Sequence, residues 1–80
     1  MSATAYVLIN VKMGKAKSVF RALQNLDNVY QVDALMGPYD MIVILQDSDF
    51  ASIGATIMDI IQMIDGVTKT VTCNVVSMGN

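Results

Sequence analysis

Histidine, tryptophan and glutamate are absent from this 80-residue chain, and cysteine and proline each occur once. Without His, no side chain titrates near neutrality at its ordinary pKa, so the commonest general base and metal ligand is missing. The single cysteine, Cys73, excludes a disulfide within the chain. One Cys and no His also leave too few ligands for a zinc cluster. The five glycines are scattered, so no Gly-rich phosphate loop is present. Asp47 and Asp49 are the nearest carboxylate pair, and caps on a helix start account for them. No Ser or Cys stands beside a base, and Cys73 has nothing nearby to depress its pKa. The chain therefore reads as a non-enzyme that needs no cofactor and no metal.

Long apolar runs are missing as well. A membrane span needs about 20 consecutive apolar residues. Here Asp40 precedes the run Met41 to Leu45 and Gln46-Asp47 follows it, while Ile53 to Ile64 is broken by Thr56, Asp59 and Gln62. The first residues carry no charged side chain and lead straight into a strand-like pattern, unlike a signal peptide. A soluble, cytoplasmic protein is expected, and a lone free thiol suits a reducing compartment. Charge is scarce too: net charge is −2, and four of the five cations lie between Lys12 and Arg21. Lys17 and Arg21 are four apart and share a helix face. An acidic chain with so few cations argues against direct nucleic-acid binding. A solvated helix face is the plainer reading of that basic segment; a small anion-binding patch is the other.

Apolar side chains are plentiful: 54% of residues are hydrophobic and 15% are charged. A chain this short buries only roughly 60% of the surface that its unfolded form exposes. The apolar content exceeds what one small core needs, and association between subunits accounts for the surplus. The seven Met residues serve as adaptable filler for core and interface.

The pattern of the chain predicts six elements. From Thr4 to Lys12, Ala5, Val7, Ile9 and Val11 alternate with Tyr6, Leu8, Asn10 and Lys12, the period of a strand. Ala16, Val19, Phe20, Leu23 and Leu26 recur at helical spacing. Asp27-Asn28 is expected to stop that helix, with Asn taking the left-handed conformation. A second strand spans Val29 to Met36, Gly37-Pro38-Tyr39 turns the chain, and a third strand spans Met41 to Leu45. Asp47-Ser48-Asp49 supplies caps for a second helix, whose stripe is Phe50, Ile53, Ile57, Ile60, Ile61 and Ile64. Asp65-Gly66 ends it, and Val67 to Val76 forms the last strand.

The order β-α-β-β-α-β, with Leu26-Asp27-Asn28-Val29 echoed by Ile64-Asp65-Gly66-Val67, reads as two interleaved βαβ units in one domain spanning residues 1–80. The expected fold is a ferredoxin-like α+β sandwich: one antiparallel sheet, order 4-1-3-2, with both helices on one face. The other face then carries Tyr6 and Leu8 and part of an all-apolar third strand. Left to water it would be a large apolar patch, so a sheet-to-sheet dimer with Tyr6 and Leu8 in the interface is expected.

Two local features stand out, the turn Gly37-Pro38-Tyr39-Asp40 and the segment Gly66-Val67 followed by Thr70-x-Thr72. With Ala5-Tyr6-Val7-Leu8-Ile9 they resemble the ligand-sensing domain of the Lrp/AsnC (feast/famine) regulators, from about Ala5 to Val76. Regulators of this kind carry a helix-turn-helix domain ahead of the sensing domain. The first strand here begins within a few residues of Met1, so the sequence resembles a stand-alone sensing domain. The resemblance implies a free amino acid as ligand, bound between dimers of a ring of eight or ten chains. It also makes full-length regulators of the family candidate partners.

An amino acid needs an acceptor for its ammonium and donors for its carboxylate. Asp40 suits the first role. Gly37, Pro38 and Tyr39 at the turn, with the hydroxyls of Thr70 and Thr72, frame the rest. Thr70 and Thr72 are two apart and point to one side of a strand. Two other classes stay open. One is a structural co-assembly partner with no ligand of its own. The other is a small ferredoxin-like enzyme such as a monooxygenase, whose polar or His-bearing pocket this chain lacks.

Overall fold

The computed structural model describes residues 2–79. Its elements are β1 (Ala3–Val11), α1 (Ala16–Gln24), β2 (Val29–Ala34), β3 (Met41–Asp47), α2 (Phe50–Asp59), a 3-10 turn (Ile61–Met63) and β4 (Val67–Asn74). The sheet is antiparallel in every pairing, with order β2-β3-β1-β4. This is the ferredoxin-like arrangement that the alternation of the strands predicts.

Period two in β1 decides which side chains meet the helices. Ala3, Ala5, Val7 and Ile9 are buried, and Leu45, Val43 and Met41, the β3 partners of the last three, are buried beside them. Val19 and Leu23 of α1, Ile53 and Ile57 of α2, and Ile61 close that core from above. Full burial of a Leu, Ile or Val side chain contributes roughly 1.5–3 kcal/mol, so this inner layer holds the chain together. Thr56 is the one buried polar residue of the described chain, and it is satisfied. Its hydroxyl donates to the Ser52 carbonyl at 3.2 Å and accepts from Asn28 Nδ2 at 2.8 Å.

Several expectations need correction. α1 stops at Gln24, with Asn25 still right-handed at φ −87, and no non-glycine residue in the described chain has positive φ. Asn28 is therefore not a left-handed stop. Its side chain instead ties the start of β2 to Asp47 and Thr56. The cap of α2 is Asp49, which accepts from the Ser52 N–H at 2.8 Å; Asp47 accepts from Asn28 and from the Ser48 N–H. The second stripe breaks where α2 passes into the 3-10 turn, and Phe50 and Ile60 are exposed. β2 and β4 are shorter than expected, ending at Ala34 and Asn74, while β3 runs on to Asp47. Register shifts at Val29/Gln31 and at Asn10/Val11 put an extra residue into β2 and β4, which strict alternation does not foresee.

Gly66 ends the second crossover as expected, at φ +103. A Cβ there would lie 2.6 Å from Lys15 Cβ, so the chain needs glycine for both conformation and closeness. The Gly66 carbonyl accepts from the Lys12 N–H at 2.7 Å, and Lys15 Nζ lies 2.9 Å from Asp65 Oδ2. The Lys15 hydrogen bond, and then its charge, hold the Asp65 carboxyl below the ordinary carboxylate range. Asp49 is lowered likewise by the N–H of Ser52 and then by its side chain. Both are structural carboxylates, spent on a connector and a cap.

Candidate functional site

The turn between β2 and β3 is fastened to the end of β1 through Asp40. The Asp40 N–H donates to the Ile9 carbonyl at 2.9 Å, and its own carbonyl accepts from the Leu35 N–H at 2.8 Å. Its Oδ2 accepts from the Val11 N–H at 2.8 Å and lies 3.4 Å from Asn10 Nδ2. Asn10 Nδ2 also donates to the Pro38 carbonyl at 3.0 Å. The carboxylate is thus held rigidly by one oxygen. Oδ1 accepts no hydrogen bond from the described residues, and the N–H groups of Met36, Gly37 and Tyr39 donate to no protein acceptor there. Gly37 is exposed, and a Cβ on it would meet nothing within 4 Å. A half-buried carboxylate with one free oxygen, beside unpaired N–H groups, can hold an ammonium and a neighbouring carboxylate.

Thr70 and Thr72 sit elsewhere. They pair with Ile9 and Val7 across the β1–β4 ladder, so both face the helix side of the sheet. Thr70 Oγ1 accepts from Gln62 Nε2 at 3.0 Å. Thr72 lines a shallow groove of about 290 Å³ beneath α2, with Phe50, Gly54 and Met58. Ile9 stands between the two clusters, bonded to Asp40 on its β3 side and paired with Thr70 on its β4 side. Asn10, the side-chain partner of Asp40, belongs to the opposite face. A single chain therefore does not bring the turn and the two threonines together.

Tyr6 and Leu8 lie on the face away from the helices. Tyr6 is opposite Ile44 and Cys73, and Leu8 is opposite Ile42 and Val71. These side chains form one apolar centre, with Tyr6 still 40% exposed. Gln31 and Asp33 of β2 and Lys69 of β4 stand around it in register. An apolar centre with a polar rim is the anatomy of a protein interface.

Sequence reasoning missed Asn10 and Gln62, the side chains that hold Pro38 and Thr70. The available signal was Asn10 itself, since Asn is depleted inside strands. Among the described residues no group of three or more His, Cys, Asp or Glu could hold a metal ion. No helix there is long and apolar enough to cross a membrane.

Comparison with known proteins gives a consistent picture. The family model for the Lrp/AsnC ligand binding domain matches residues 4–78. A solved protein from Thermus thermophilus superposes with a TM-score of 0.91 at 24% identity, covering 98% of each chain. Escherichia coli AsnC superposes at 0.89 with 20% identity, over 98% of this chain and 53% of that one. A transcriptional regulator from Neisseria meningitidis, solved as a complex with L-Met, superposes at 0.85 with 16% identity, over 98% of this chain and 52% of the regulator. This chain thus spans about half the length of those two regulators, and at these identities the likeness shows the fold. No curated protein sequence matches.

Proposed function

Because this chain belongs to the Lrp/AsnC ligand-binding domain family, we propose that it senses a free amino acid. It acts as an assembly of sheet-to-sheet dimers, closed into a ring of eight or ten chains, in the cytoplasm. Through co-assembly it modulates full-length regulators of the family, with no direct nucleic-acid contact of its own. The coarser reading, a ligand-sensing domain of a regulatory family, rests on the family match alone. The finer one is supported by Asp40, whose Oδ2 is fixed by the Val11 N–H at 2.8 Å while Oδ1 is free to accept an ammonium. The Neisseria relative solved with L-Met suggests the same ligand class.

In this reading Asp40 binds the ammonium, and the N–H groups around Gly37, with Pro38 and Tyr39, frame the carboxylate. Thr70 and Thr72 come from the neighbouring chain, because one chain keeps them across β1 from Asp40. In this proposal the sensor works only as an assembly. The outer apolar face, centred on Tyr6 and Leu8, supports the dimer. The acidic net charge of −2 supports the exclusion of DNA, whose phosphates demand cations.

A thermal-shift screen of the twenty amino acids tests this. A ligand at 100 times its Kd adds about 2.7 kcal/mol of stability. In a domain of this size that raises the Tm by roughly 10–20 °C. One amino acid, or a small chemically related group, is expected to do so. If none of the twenty moves the Tm, the chain is a scaffold for other regulators and the sensing role fails.

A further inference from the structure

We propose that the groove between α1 and the β2–β3 hairpin is a second binding site, for a free medium-chain monocarboxylate. The groove has a volume of about 340 Å³, at the lower end of the roughly 300–1,000 Å³ typical of small-molecule sites. Ala16 and Phe20 of α1 form one wall and Ala34 and Met41 the other, and the lining is almost wholly apolar. Lys17 and Arg21, one helical turn apart, stand on its rim.

Three observations select the occupant. First, the rim charges are uncommitted. The salt bridge of the described chain joins Lys15 to Asp65, and neither Lys17 nor Arg21 takes part in it. Second, the two cations adjoin an apolar trough and not a polar one. An inorganic anion would leave that trough empty, whereas an acyl chain fills it while its headgroup meets both charges. Third, the site is a shallow trough between a helix and a strand pair, broadly open at the surface, whose two apolar walls flank a single flexible chain.

The groove is distinct from the amino-acid site. Ala34 and Met41 are paired across the last rung of the β2–β3 ladder and face the helices. The Asp40 carboxylate next to them reaches Asn10 on the other face. The face that carries Tyr6 and Leu8 is also opposite, so a sheet-to-sheet dimer leaves the groove uncovered. The hairpin is shared by both sites. The proposal does not depend on the amino-acid reading, and it also makes the basic segment of α1 more than a solvated face.

Titration calorimetry with octanoate, octylamine and octanol on the full chain tests it. Octanoate is expected to bind at least about tenfold more tightly than octylamine, because the rim is cationic. The surface double variant Lys17→Gln with Arg21→Gln should weaken octanoate about tenfold and leave octanol unchanged. Ala34→Leu fills the trough from an exposed strand end and should abolish octanoate binding, with an unchanged circular dichroism spectrum. Asp40→Asn should leave octanoate binding as in the parent. Equal binding of octanoate and octylamine overturns the proposal. So does an Ala34→Leu variant that binds like the parent, or binding to phosphatidylglycerol vesicles with no response to free octanoate.

Discussion

Replacing Leu8 by Asp is expected to dissociate the assembly while leaving each chain folded. Leu8 lies on the outer face, opposite Ile42 and Val71, and its neighbours Val7 and Ile9 carry the inner core. The substitution therefore removes nothing from the layer that closes the fold. In a sheet-to-sheet dimer, however, it places a carboxylate in an apolar interface with no partner. An unpaired buried charge costs roughly 3–5 kcal/mol, which raises the dimer dissociation constant by at least about 100-fold. Light scattering at micromolar concentration should then report a mass approaching the 8.7 kDa of one chain, against a multiple of it for the parent. Tyr6→Lys should act in the same direction, less strongly, because a lysine can reach the rim. A parent that is itself a stable monomer, or a Leu8→Asp variant of unchanged mass, contradicts the interface.

Asp40→Ala is expected to weaken amino-acid binding by roughly 10- to 150-fold, the effect of losing a charge-assisted hydrogen bond. The geometry adds a second consequence. Asp40 Oδ2 is the acceptor for the Val11 N–H at 2.8 Å, so alanine also leaves that donor unpaired and loosens the end of β1. Some loss of stability, about 1–3 kcal/mol, should accompany the loss of affinity. Asp40→Asn separates the two. It keeps an oxygen for Val11 but loses the charge, so it should retain the parent's Tm without ligand and still bind about tenfold or more weakly. If Asp40→Asn binds the amino acid like the parent, Asp40 is a fastening for the turn and not the ammonium acceptor.

Much of this molecule can be read from local pattern. Alternation in β1 separates Ala5, Val7 and Ile9 from Tyr6 and Leu8, and the structure buries the first set and half-exposes the second. Apolar residues on both faces of β3 mark it as central, and it lies between β1 and β2. Asp49 and Gly66 are legible as punctuation because a cap and a positive-φ stop are local demands. Asn28 is not, because its partners Asp47 and Thr56 are 19 and 28 residues away. The extra residues in β2 and β4 also escape, since a bulge depends on the partner strand as much as on its own sequence.

The candidate site divides in the same way. The Gly37 to Asp40 turn and the Thr70-x-Thr72 strand stand out as motifs, and the register puts the two threonines on one face. What no spacing conveys is that Asp40 answers to Val11, 29 residues earlier. Nor does it convey that β1 lies between the two motifs. Both are properties of the assembled sheet.

In the proposed assembly one amino acid bridges the Gly37–Asp40 turn of one chain and the Thr70–Thr72 strand of its neighbour. Hydrogen–deuterium exchange of the assembled protein, with and without the amino acid that raises its Tm, tests this most directly. Peptides covering residues 35–40 and 68–74 are expected to gain protection together on saturation. In Leu8→Asp chains that run as monomers by light scattering, and so lack every neighbour, neither should respond. Protection of one segment alone, or of both in a dissociated chain, would contradict a site shared between chains.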